Sequence, residues 1–282
     1  LTSKNPKFSA IAREDSDNKI AQVWKTILEY CWDISDGDTE FKQAVHDYSI
    51  AGLGYFYAYI DPEADFGRGE VKFTHVNPFR VYVDPASRSR YFTDASAILL
   101  STILTRSQVI NLYPKIEEVI DDIDTMNNED DYPSSTLKNS SQSFTPDVVK
   151  DKDSAGYEKY RIIEKFEKVK IPFYRLFNKQ TGEEKIVSLE EYQSITQDSG
   201  HLLESGLVEA VEIMQTRIRV VATMGQYLLY EQLLNTDIYP IVPVPNIWTN
   251  TPYPKSDVMK VKDSQRLLNK LFSLTLSHAQ AS

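Results

Sequence analysis

The sequence predicts an α+β protein. Three observations carry that expectation: apolar residues recur at helical spacing near both ends of the chain, alternating stretches are bounded by Gly and Pro, and two capping boxes mark helix starts in between. Ile20, Val23, Trp24, Ile27, Leu28 and Cys31 fall on one stripe of a helix opened by Ser16 or Asp17 and broken at Asp36-Gly37. A second helix carries Phe41, Ala44, Val45 and Tyr48 on one face and ends at Gly52-Leu53-Gly54. There the period changes to two: Tyr55, Tyr57 and Tyr59 alternate with Phe56, Ala58 and Ile60, as in a strand. After Gly67-Arg68-Gly69, strands are expected near 71–76 and 79–83, separated by Asn77-Pro78 and closed by Asp84-Pro85.

Thr105-Arg106-Ser107-Gln108 has capping-box spacing and opens a short helix that Pro114 stops. Residues 127–156 are rich in Ser, Asp, Asn and Pro and read as a mobile loop. A β-rich segment, 160–178, reaches a turn at Thr181-Gly182. The second box, Ser188-Leu189-Glu190-Glu191, starts a helical stretch expected to extend to about Gln215, although Gly200 and Gly206 weaken it. Strands at 217–222 and 227–234 turn at Gly225-Gln226. Pro240, Pro243, Pro245, Pro252 and Pro254 then rule out helix and sheet interior, and a last helix starts near Ser256 with Val261, Leu268, Leu271 and Phe272 on its stripe.

Composition narrows function more by exclusion than by pointing. Cys31 is the single cysteine, so neither a disulfide framework nor a Cys-rich zinc site exists, which fits folding in a reducing cytoplasm. No run approaches the roughly 18 apolar residues of a membrane span. The net charge is −10, and residues 214–282 carry +3, leaving −13 for residues 1–213. Glu117, Glu118, Asp121, Asp122, Asp124, Glu129, Asp130 and Asp131 make one acidic run, read as a solvated helix end entering a loop. Such a chain is not expected to hold DNA tightly, because Lys and Arg supply most of that affinity. There is no G-x-x-x-x-G-K-[ST] phosphate cradle and no G-x-S-x-G elbow; His46, His75, His201 and His278 lack ligand spacing. No catalytic residue, metal or cofactor is assigned, and Cys31 sits on an apolar stripe where packing is the expected role.

Asn5-Pro6, the first two helices, "IAGLGYFYAYID" and "VNPFRVYVDPASRSRYFTDASAIL" resemble, in order and wording, the wing region of podovirus-type phage portal proteins. The resemblance resumes in "YPIVPVPNIWTNTPYPKSDVMKVKDSQRLLNKLFSLTLSHAQAS", with an aromatic at Trp248 and a Gln-Arg-x-x-Asn core at Gln265, Arg266 and Asn269. Gly52, Gly54, Asn77, Pro78, Asp84 and Pro85 are the structural motif residues of the match. The resemblance implies a dodecameric ring around a DNA channel, with an α/β wing, a helical stem and a small β-containing clip. Carried onto this chain it gives a wing over 1–187, a first stem helix over 188–213, a clip over 214–251 and a second stem helix over 252–282. Portal proteins of this type continue into a tunnel loop, a long wing helix and a crown, so the chain, with no initiator Met, is expected to be a truncated piece.

From that resemblance come the expected roles. The ring conducts viral DNA during packaging and ejection, at the portal vertex of the virion, after assembly in the host cytoplasm. Its expected partners are other copies of itself, the terminase large subunit, a head–tail adaptor, capsid and scaffolding proteins, and double-stranded DNA that passes without tight binding; no membrane is involved. Arg217 and Arg219 share a strand face and are expected to meet an acidic docking partner. Gln265, Leu268, Asn269 and Phe272 are expected at the subunit interface, while Lys262, Arg266 and Lys270, four apart, form a basic row facing a neighbour or the channel. Two other readings stay open: another structural head–tail connector or adaptor, and a hydrolase whose acidic pair is hidden in the wing.

Overall fold

A computed structural model describes residues 6–12, 17–123, 158–179, 182–204 and 208–281; the loop expected at 127–156 lies outside them. Helix and strand have equal shares, and the chain divides into two compact units, residues 1–101 with 239–282, and residues 102–238.

The first unit is built on a three-stranded antiparallel sheet. α1 (Asn18–Ile34) and α2 (Gly37–Ile50) form where the apolar spacing predicts, and Asp36, at φ 49°, makes the left-handed break between them. The Trp32 ring lies over Gly37, where any Cβ would collide with the indole, and its Nε1 donates to Asp38 Oδ1 at 2.9 Å. β1 (Leu53–Asp61) is central, paired with β2 (Glu70–Val76) through a short turn, α3 (Ala64–Gly67), in which Asp65 and Phe66 have left-handed backbone angles. The expected strand at 79–83 is shorter. Pro78–Arg80 is a 3₁₀ turn capped by Asn77, and β3 (Val81–Val83) pairs with the first part of β4 (Ala97–Thr105).

Downstream, α4 (Arg106–Leu112), β5 (Lys159–Asn178), β6 (Glu184–Ser188), α5 (Leu189–Glu204), β7 (Val208–Met224) and β8 (Tyr227–Leu234) belong to the second unit, and β9 (Ile241–Pro245) and α6 (Asp257–Ala281) return to the first. β9 is an edge strand against β1. Asn246 N–H donates to Gly52 O and Ala58 N–H to Pro240 O, so hydrogen bonding recurs at even-numbered β9 positions. Pro243 and Pro245 fall between, with their nitrogens turned away from β1, which is how a proline-rich segment is accommodated in a sheet.

In the second unit β5 and β7 pair from Ile162↔Met224 to Asn178↔Val208, β6 flanks β5 and β8 flanks β7. Val109, Ile116, Ile120, Tyr160, Ile162 and Met224 form its core cluster, and Tyr174 stacks on Tyr192 of α5 at 4.0 Å. Both capping boxes mark real starts: Gln108 Oε1 accepts from Thr105 N–H, and Ser188 and Glu191 exchange hydrogen bonds at 3.2 Å. The helix expected over 188–213 nevertheless ends at Glu204, and the chain is already strand from Val208. A continuous ladder with β5 outweighs local helix propensity there. Residues 214–251, expected as one clip, are divided between the units at Tyr239.

Candidate functional site

The motif residues hold backbone together. Gly52 has φ +87°, and a Cβ there would lie 2.6 Å from Pro254 O and 2.9 Å from Ser256 N, so β1 meets the start of α6 only because this residue has no side chain. Gly54 likewise touches the Ala44 backbone of α2. Asn77 Oδ1 accepts from Phe79 N–H at 2.9 Å, and Pro78 occupies the first position of that turn, where its missing N–H costs nothing. Asp84 accepts from Ala86 N–H, Ser96 N–H and Ser96 Oγ, while Asp94 accepts from Ser87 Oγ, Arg88 N–H and Ser89 N–H. These donors hold the Asp84 carboxyl below the usual range and Asp94 at about 2, with the hydroxyl of Ser96 or Ser87 the largest cause in each case. Pro85 follows at the surface, and its carbonyl accepts from Arg88 Nη1 at 2.8 Å.

On the second unit's sheet, the cross-strand register puts Gln215, Arg217 and Arg219 of β7 on one face with Glu167 and Phe173 of β5 and with Leu233 of β8. The two arginines, predicted together, are chemically different. Arg219 binds Glu167 and lies 3.5 Å from Glu231, and Lys165 also reaches Glu167. Lys165 first and Arg219 after it hold the Glu167 carboxyl below its ordinary value, while Glu167 raises that of Arg219. Arg217 instead lies over the Phe173 ring, 4.9 Å from its centroid, and donates from Nη2 to Gln215 Oε1 at 2.7 Å. Its Nε is buried with no acceptor among the described residues. Beside it opens a concavity of about 520 Å³ lined by Ile186, Ser188, Glu191, Leu233, Leu234 and Asn235. Of those lining residues the sequence marks only Ser188 and Glu191, and those as a helix start rather than a pocket, because nothing in spacing reveals which strands lie side by side.

Ser256 precedes α6 and caps it, its Oγ accepting from Met259 N–H at 3.1 Å, and every side chain of 257–280 is exposed. Leu268 and Phe272 are 59% and 67% exposed, with Val261 and Leu271 in the same state. Gln265 and Asn269, expected to bond across a helix contact, bond to each other along this helix at 3.0 Å. Arg266 of the basic row lies 3.7 Å from Asp263, while Lys262 and Lys270 stay exposed. α1 repeats the pattern: Ile20, Val23, Trp24, Ile27 and Leu28 are all exposed, although their spacing reads as a packing stripe.

The remaining ionic groups are local. His75 Nε2 lies 2.7 Å from Asp47 Oδ2, and Glu40 accepts from Thr74 Oγ1 and His75 N–H. Among the described residues no three His, Cys, Asp or Glu side chains converge as metal ligands would, and no helix is long and apolar enough to cross a membrane.

The sequence model of the family described as phage P22-like portal protein matches residues 3–282, nearly the whole chain. No curated protein matches it. A mixed α+β fold, motif glycines seated against backbone and a family match of that extent lead to one conclusion: the chain belongs to the phage P22-like portal protein family, structural and non-enzymatic proteins of the virion capsid that act in DNA packaging as ring oligomers with viral partners.

Proposed function

We propose that this chain forms a closed dodecameric ring through which viral DNA is packaged and later ejected, with the terminase large subunit and then a head–tail adaptor docking on it. The observation that carries this reading is α6, a helix of 25 residues whose apolar side chains are uncovered in the single chain. Fully covering a Leu or Phe stabilises by about 1.5–3 kcal/mol, so Val261, Leu268, Leu271 and Phe272 together supply a strong drive to associate. In a ring, each copy offers one face to the next and receives another, and rotation closes the set. α6 takes the role of the second stem helix and α5 that of a shortened first one, while the β7–β8 hairpin carries the docking role expected of a clip.

The basic row of Lys262, Arg266 and Lys270 faces either acidic groups of the neighbour or the channel. A chain of net charge −10 repels DNA overall, which suits a conduit that must release the duplex at every step. Leu268→Asp places a carboxylate in the stem contact at a cost of several kcal/mol, and rings should fail to assemble. Lys262→Ala and Lys270→Ala leave the ring mass unchanged and alter only DNA passage. A full ring from the Leu268→Asp protein would show that α6 does not hold subunits together.

A further inference from the structure

The face of the second unit's sheet around Arg217 combines an incompletely satisfied cation with apolar walls. Arg219, two residues away, already has Glu167 and Glu231 as counter-charges. Arg217 has no carboxylate within ion-pair distance among the described residues. Its Nη2 bonds a neutral amide, its Nε has no acceptor among the described residues, and its guanidinium carbon lies over the Phe173 ring, which holds the side chain in place without neutralising it. A buried guanidinium N–H without an acceptor is costly, and a carboxylate is the side-chain acceptor that a guanidinium pairs with most strongly.

The surroundings favour one kind of occupant. Ile186 and Leu233 are about half exposed on the walls of the 520 Å³ cavity, which has the size of a small-molecule or side-chain pocket. The Glu191 carboxylate stands on the rim beside Ser188, with which it forms the capping box at the start of α5. A duplex is too wide for this space and is repelled by an acidic chain. Among the described lining residues Arg217 is the one cation, and the one anion, Glu191, is engaged with Ser188 N–H, so a single acidic side chain flanked by apolar neighbours is matched to Arg217 and to the walls.

We propose that this cavity is a docking pocket for a protein partner's Asp or Glu side chain, with Arg217 as the anion-recognising residue and Phe173, Ile186 and Leu233 receiving the apolar residues beside it. The proposal deepens the docking role assigned to the β7–β8 hairpin and rests on that reading only for the partner being a protein. Arg219 is a positioning residue of the neighbouring ion network and takes no part in recognition.

The test is a titration of the isotopically labelled protein with the acetylated, amidated tripeptide Leu-Glu-Leu, following the backbone amide resonances of Phe173, Ile186 and Leu233 in every variant and, where Arg217 is present, its Nε–H resonance, with Leu-Gln-Leu as the neutral control. The Glu peptide should move those resonances saturably, and the Gln peptide should bind at least about tenfold more weakly. Arg217→Lys keeps the charge but loses the planar fork, and should weaken the Glu peptide by about tenfold. Arg219→Gln should leave its affinity unchanged within about twofold. Equal affinity for the two peptides, no saturation by about 10 mM, or retention of binding in Arg217→Lys would overturn the proposal. So would tighter binding of inorganic phosphate or of a short DNA duplex, either of which makes the site a general anion or nucleic-acid contact. Ring mass is read separately, so a failed titration leaves the ring reading standing and a failed ring leaves the pocket measurable.

Discussion

Gly52→Ala is expected to loosen the base of α6, and its magnitude can be bracketed against Gly67→Ala. Both glycines have nearly the same positive φ, +87° and +86°, so both substitutions force an L residue into the left-handed region. That strain alone costs about 1–2 kcal/mol. They differ in what a Cβ meets: nothing within 4 Å at Gly67, but three backbone atoms of Pro254, Lys255 and Ser256 within 2.9 Å at Gly52. Backbone cannot rotate aside as a side-chain tip can, so overpacking adds about 1–3 kcal/mol at Gly52. For a unit of this size each kcal/mol lowers the melting temperature by about 2–4 °C. Thermal unfolding followed by circular dichroism should therefore place the Gly52→Ala midpoint clearly below that of Gly67→Ala, by at least about 2 °C. Equal midpoints would refute the argument that close approach, rather than φ alone, requires Gly52.

Two further substitutions probe the second unit. Arg217→Glu should weaken docking of the terminase large subunit and of the adaptor in a pull-down or calorimetric assay while ring mass is unchanged; unaltered affinity removes the docking role from this face. Arg219→Glu should instead lower thermal stability, because it sets a third carboxylate beside Glu167 and Glu231, and an unchanged midpoint would mean that the Arg219 network contributes nothing. Burial raises the Glu164 carboxyl above the ordinary Glu range, opposed by the hydrogen bond that Tyr230 OH donates at 2.5 Å. A raised folded-state value means that the folded protein binds the proton more tightly than the unfolded one, so this group's contribution falls as pH rises from the ordinary Glu value through the raised one. Glu164→Gln should flatten that part of the stability-against-pH curve, and an identical slope in the variant would show that the group is not desolvated.

Much of the local structure was legible in the residues. Ser188 and Glu191 marked a helix start because both partners of the exchanged hydrogen bonds are encoded three positions apart. The prolines of β9 announced that no interior strand or helix passes there, and an edge strand satisfies that constraint. What the residues could not reveal was long-range. Val208 to Ile213 lies within reach of a helical pattern, and only pairing with residues 173–178 of β5 makes it strand. The ion pair of Arg219 spans 52 positions, so an arginine that looked available for a partner was already engaged.

The amphipathic stripes of α1 and α6 show a different limit. Period 3.6 at Ile20 to Cys31 and at Val261 to Phe272 reads as a packing face in each, and the helices form there as the spacing predicts. It carried no information on whether the cover comes from the same chain. In the structure neither stripe is buried, and the proposed ring would cover that of α6 with another copy of the chain.

The mass and shape of the assembled particle test the central claim most directly. Purified protein imaged in negative stain and weighed by native mass spectrometry should give closed dodecameric rings with an open centre. A protein that stays monomeric at concentrations well above those of assembly, with Leu268 and Phe272 still open to solvent, would contradict the account.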